Sequence, residues 1–422
     1  MNLPLKIYRI RQSVDSPQID NLKEAICNCL QEIKYERINF SGKIVGITAG
    51  SRGIDRIPEI LSIIVQIVKD RGGKPVLIPS MGTHGGSTAE RQIAVLTSLG
   101  ITEANVNCPI LANVDTEYLG KTDIDVPLYC NVEAKKVDQI IVINRVKPHT
   151  DFTGNIESGL CKMLAIGLGS HKGAEFTHKY ARLIGHEKVI TSIALKMLNE
   201  LPIVFGIAIA ENWKNKIKKF VAMMPNEFLK KESEFLNCVK KSEIKLPFKL
   251  IDVLMIGEMG KNISGTGMDT KVIGRIMVKG QKEPEFPKIE CVVVSDLTSE
   301  SHGNACGIGL AEITTRKVFN KIDLFTTADN SISAMSPEQG RIPCVVSNDY
   351  EAIKAGISTL GPIDNDKVKF VYIKNTLKLE NIAVSEALIK EEVNNPKLQI
   401  ISGPEELKFN FEGDLINFEG GI

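Results

Sequence analysis

The sequence predicts an α/β protein of two domains, and three observations carry that reading. Short β-branched runs alternate with amphipathic stretches, the pattern that layers helices on a sheet. A length of 422 residues exceeds what one core usually fills. The composition is that of a folded globular chain, 43% apolar and 24% charged with 34 Gly and 18 Pro.

The elements follow in order. Lys43–Thr48 (KIVGIT) reads as a buried strand ending in the turn Ala49-Gly50-Ser51-Arg52-Gly53. A helix from about Asp55 to Arg71 follows, with Ile60, Ile63, Ile64, Ile67 and Val68 on one face, and Gly72-Gly73 stops it. Pro75–Pro79 is the next strand, and Ser80-Met81-Gly82-Thr83-His84-Gly85-Gly86 leads to a helix opening at Ser87. Ser87 with Glu90 three residues later is a capping box. Gln139–Asn144 and Ile203–Ala210 are further strands, separated by a Gly-, His- and Lys-rich segment, Arg145–Gly173. A charged helical stretch, Asn226–Lys245, leads to Leu246-Pro247-Phe248, which places the domain boundary. The expected domains are 1–248 and 249–422. Leu250–Gly257 restarts the alternation, with strands near Cys291–Ser295 and Lys369–Ile373.

Charge and composition exclude several function classes. Lys plus Arg (52) against Asp plus Glu (51) leaves no electrostatic footprint for nucleic acid or an anionic membrane. No apolar run is long enough for a membrane span, and the opening residues show no signal-peptide pattern, so the expectation is a cytoplasmic protein. The nine cysteines contain no CxxC, so neither a disulfide framework nor a zinc ribbon is indicated. Neither GxGxxG with a following acid nor GxxxxGK[ST] occurs.

The six histidines are the informative residues. His84 and His149 fall just past predicted strand ends in polar, glycine-rich loops. Ligands of open α/β sheets bind at such ends, so the loops TAGSRG, SMGTHGG and RVKPHTDFTGNIESGLCK are expected to converge on one crevice. Arg52 reads either as a surface turn residue or as an anion contact. Lys162, between Cys161 and Met163, reads either as a snorkelling helix residue or as a nucleophilic amine. His171 and His178 stand two helical turns apart, about 10.5 Å, too far to share one metal on a straight helix. A single histidine ligand completed by a nonprotein partner is the better metal reading.

SRG after a strand, GTH before a helix, KPHTDFTG…ESGLCKM and a histidine sixteen residues past the lysine together resemble the nickel-dependent lactate racemase (LarA-like) family. The resemblance implies two α/β domains with the active site in the cleft between them. It also implies a nickel-pincer nucleotide, a pyridinium dithio-mononucleotide tethered to a lysine, and a small 2-hydroxy acid substrate. By position, His84 and His149 match the acid/base histidines, Lys162 the tether, His178 the nickel ligand with His171 the alternative, and Arg52 the substrate-contacting arginine. The acidic residue that precedes this arginine in lactate racemases is absent from Ala49-Gly50-Ser51-Arg52. The family's substrate-contacting glutamine and lysine fall at Gly274 and Met277, with Lys261, Lys271 and Arg275 nearby. The implied activity is racemisation or epimerisation of a 2-hydroxy acid by reversible hydride transfer. Two other classes remain open from sequence: a non-catalytic nucleotide- or metal-binding protein of the same fold, and a metal-dependent hydrolase or aldolase.

Overall fold

The computed structural model describes residues 3–84, 88–392 and 395–416. Two compact units divide the chain. One comprises Ser16–His149 and Thr153–Glu243, the other Met1–Asp15, Thr150–Phe152 and Ile244–Ile422. The expected border after residue 248 therefore falls five residues earlier, and the first fifteen residues belong with the later part of the chain. Their strand, Ile7–Gln12, pairs antiparallel with Asn381–Ser385 and with Leu398–Glu405. Pairing across almost the whole chain leaves no local trace in the sequence.

The 16–243 unit is built on a five-stranded sheet in the spatial order Lys74–Pro79, Ile44–Ala49, Gln139–Arg145, Ile203–Glu211, Ile217–Met223. The first four run parallel and the last is antiparallel. Their residues are apolar at almost every position because both faces are covered, as parallel sheets require. Helix Ile57–Asp70 buries Ile57, Ile60, Leu61, Ile64, Val65 and Val68, so of the expected face Ile60, Ile64 and Val68 are in the core while Ile63 and Ile67 lie half-buried at its margin. On the same sheet, Gly206 admits Leu160 and Phe228, since a Cβ there would lie 2.5 Å and 2.6 Å from their side chains. The predicted capping box at Ser87 lies outside the described residues. The described helix runs Ala89–Ser98, and Thr88 caps it by accepting a hydrogen bond from the Arg91 amide.

The other unit carries an eight-stranded mixed sheet. Leu250–Ile256, Lys288–Val294, Ile313–Thr315, Cys344–Val346 and Phe370–Ile373 are parallel, and the strands around Ile7–Gln12 extend it antiparallel. Alternate residues of the central strand feed two cores, Leu254 and Ile256 on one face, Val253 and Met255 on the other. Within this unit Gly274 has φ +69°, and a Cβ there would collide with the Pro287 carbonyl oxygen. That position has no room for a side chain. Arg275 is committed to Glu312 and the carbonyls of Ile289 and Leu310.

Candidate active site

The order of the five-stranded sheet contains a reversal. From Ile44–Ala49 the chain crosses to Lys74–Pro79 on one side, whereas from Gln139–Arg145 it crosses to Ile203–Glu211 on the other. The two central strands pair only from Val45 to Ile47. Beyond that the Thr48 hydroxyl replaces the ladder, accepting from the Ile143 amide at 2.8 Å and donating to the Ile143 carbonyl at 3.2 Å. The backbones are thus released at the carboxyl edge, where such a switch point opens a crevice. Ser51 and Arg52 leave one strand end there, Met81–His84 another, and Lys147–His149 a third.

The long crossover folds back over the same edge. Lys147 and Ser158 exchange backbone hydrogen bonds of 2.9 and 3.2 Å, laying Glu157–Lys162 against Lys147–His149. Glu157 is fully buried and holds the turn together. It accepts from the His149 amide at 2.5 Å and the Gly154 amide at 3.0 Å, and pairs with Lys240 at 2.6 Å. Leu160–Lys162 then forms a helical turn continued by a π-helical turn, Met163–Gly167. Such turns recur at functional sites because they redirect side chains within a helix. Gly82 and Gly167 let the Ser80–His84 loop press onto it. A Cβ on Gly82 would meet Ile166 at 2.8 Å, and one on Gly167 would run into Met163 Sδ and the Ser80 carbonyl.

The result is a cluster of bases. Lys162 Nζ lies 2.6 Å from His149 Nε2, and His84 Nδ1 lies 2.5 Å from Ser51 Oγ. His84 is held at about 4, below the ordinary 6.5, first by loss of surrounding water and then by the charges of Arg52, Lys162 and His178. At neutral pH it is therefore an uncharged imidazole, with an edge open to solvent. Arg52 is lowered by desolvation and then by Arg145, and its guanidinium has no hydrogen-bond or ion-pair partner among the described residues. Arg145 by contrast is neutralised by Glu211. Arg52, His84, His149, Lys162 and His178 are thus brought to one neighbourhood. His178 sits on helix Ser170–Ile184. His171, on the same helix, is not among the charges acting on His84. His186 opens helix His186–Glu200, and His302 belongs to the other unit. Among the described residues no three His, Cys, Asp or Glu side chains gather to hold a metal ion. His84, His149 and His178 therefore form no closed ligand set of the kind a metal-dependent hydrolase uses.

The supporting acids were not singled out in the sequence. Glu232, fully buried, accepts from the Cys161 amide at 2.9 Å, while its Oε1 has no hydrogen-bond partner among the described residues. Burial raises its carboxyl to about 7 against the opposing pull of the Cys161 amide and thiol. Its signal was legible: Glu232 interrupts the stripe Phe228, Phe235, Leu236, Val239, a charged residue on the core face of its helix. Glu157 and Glu211 carried no such signal.

No family model matches the chain, and no curated protein matches it by sequence. The fold is similar to the crystal structure of a protein from Thermotoga maritima, with a TM-score of 0.52 and 15% identity, over 86% of this chain and 99% of that one. The structure of the lactate racemase apoprotein from Thermoanaerobacterium thermosaccharolyticum aligns with a TM-score of 0.49 and 14% identity, covering 92% of each chain. The first likeness establishes a shared fold. Among the described residues, no helix is long and apolar enough to cross a membrane.

Proposed function

We propose that the protein is a racemase or epimerase of a small 2-hydroxy acid, working with a nickel-pincer nucleotide tethered to Lys162. The observation that carries the reading is the convergence of Arg52, His84, His149, Lys162 and His178 at the sheet's switch point. The donor set fits such a group. Lys162 presents its amine 2.6 Å from the His149 imidazole, and a lysine nitrogen is the type of group that forms such a covalent bond. His178 offers a single imidazole where a chelating nucleotide would fill the other metal positions. When bound, the group supplies a reversible acceptor for the hydride at the substrate's C2.

The chain's own residues do the rest. Arg52, with no hydrogen-bond or ion-pair partner among the described residues, holds the substrate carboxylate bidentately. Neutral His84 takes the hydroxyl proton of one enantiomer, and Ser51 at Nδ1 fixes its ring. His149 does the same for the other enantiomer. Retention of both bases favours catalysis over a carrier role, because a carrier needs Lys162 and His178 alone.

The test is expression with and without the machinery that makes the nucleotide, followed by intact mass, nickel content and racemisation of C2-deuterated 2-hydroxy acids. The reading expects an adduct on Lys162, one nickel per chain, and deuterium retained at C2 of the inverted product. Deuterium washed into solvent indicates proton abstraction and overturns the hydride route. Turnover with Lys162 unmodified overturns the tether.

A further inference from the structure

The turn that carries Lys162 is not capped by its own residues. The first amides of a helix lack partners within it, and the residue before usually supplies a side-chain acceptor. Here that residue is Gly159, which has no side chain to offer. Glu232 serves instead, from helix Phe228–Lys241, 71 residues beyond Cys161. It accepts from the Cys161 amide at 2.9 Å, and the Leu160 amide and Cys161 thiol act on the same carboxyl. Gly159 and Glu232 fit only as a pair, since a Cβ on Gly159 would run into Glu232 Oε1. On its other side the Gly159 carbonyl accepts from Asn144 Nδ2 at 2.8 Å and from the Met163 amide at 3.0 Å. The turn is thus held between a strand end and a distant helix.

A buried carboxyl on the core face of a helix is costly, and Glu232 stands where an apolar side chain would pack. What it secures is the backbone one residue before Lys162. A three-residue helical turn continued by a π-helical one has little stability of its own, so its place is set by what anchors it. Lys162 follows the anchored amide directly, and its Nζ stands 2.6 Å from His149 Nε2. We propose that Glu232 is a positioning residue for Lys162: it caps the turn from another helix and so sets where Nζ stands relative to His149. It acts through the backbone and touches no reacting atom. The carboxyl keeps an acceptor oxygen in either protonation state, so the role needs the acceptor and not the charge. A shift of about 1 Å in a reacting group can cost on the order of a hundredfold, so a lost cap is felt at Nζ. The inference rests on the proposed function for the use of Lys162 as a tether, but the placement of the amine does not depend on it.

The experiment uses the full chain with Glu232→Gln, which keeps the acceptor, and with Glu232→Met and Glu232→Ala, which remove it. Val239→Ala, two helical turns along the same buried face, controls for general loosening. All are checked for fold by circular dichroism. The first readout, on protein produced without the nucleotide, is the change in the His149 imidazole nitrogen NMR shift when Lys162 is replaced by methionine. That change is expected in wild type, Glu232→Gln and Val239→Ala, and is expected to vanish in both variants that lack the acceptor. The second readout is the share of chains carrying an adduct on Lys162, by intact mass, after production with the machinery that makes the nucleotide. It should fall at least about tenfold in Glu232→Met and Glu232→Ala, and stay within about twofold of wild type in the other two. No shift change in wild type, or its persistence in both Glu232→Met and Glu232→Ala, overturns the proposal. So does an equal loss in Val239→Ala, the mark of a merely structural role, or a loss in Glu232→Gln. If the shift behaves as expected while wild type gains no adduct, the proposed function fails and this inference stands.

Discussion

Glu232 makes the sharpest quantitative prediction. Its carboxyl is raised from 4.5 to about 7 by complete burial, so the folded state binds its proton more tightly than the unfolded chain does. The sign follows. The neutral acid is tolerated below pH 4.5, and stability is lost progressively as pH rises from 4.5 to 7, after which the loss is constant. Each tenfold gain in proton affinity corresponds to about 1.4 kcal/mol, so the full span is about 3 kcal/mol. Between pH 5 and pH 8 the predicted change is about 2.5 kcal/mol. Glu232→Gln keeps the acceptor for the Cys161 amide but cannot ionise. The stability difference between wild type and this variant should therefore grow in favour of the variant by about that amount from pH 5 to 8.

The chain's single tryptophan, Trp213, lies in the same unit, so its fluorescence during urea unfolding reports the relevant transition. Other groups whose protonation changes on unfolding in this range, His84 among them because its unfolded imidazole titrates near 6.5, affect both proteins alike and cancel in the difference. A difference independent of pH would show that Glu232 is ionised throughout, and would refute the buried neutral acid.

Other outcomes follow from the same geometry. Gly159→Ala would drive a Cβ into Glu232 Oε1, and should cost about 1–3 kcal/mol in wild type but much less in a Glu232→Ala background, measured by a double-mutant cycle. Lys240→Met strips buried Glu157 of its cation and should cost about 3 kcal/mol, read from the same Trp213 transition. An NMR titration should find the His84 imidazole neutral down to about pH 4, and Arg52→Gln should move that midpoint upward. Lys162→Ala should leave the fold intact and abolish nucleotide retention, seen as the unmodified intact mass. In the loaded enzyme His84→Ala and His149→Ala should each slow net racemisation by about a hundred- to ten-thousand-fold.

What was legible in the sequence divides along physical lines. The apolar strands Ile44–Ala49, Lys74–Pro79, Gln139–Arg145 and Ile203–Glu211 were readable because burial on both faces writes a continuous β-branched run. The placement of His84 and His149 at strand ends was readable because they closely follow those runs, and a parallel sheet sets its carboxyl ends side by side. The affiliation of Ile7–Gln12 was not readable, since its partners lie at the other end of the chain. Nor was the role of Glu157, which depends on a turn closing between Lys147 and Ser158 and on Lys240 arriving from a distant helix. Position 274 shows the converse. A resemblance can align a residue to a substrate contact, but the Pro287 carbonyl fills the space a Cβ would need and forbids any side chain there. Nor can neighbouring Arg275 substitute without giving up Glu312 and two carbonyls.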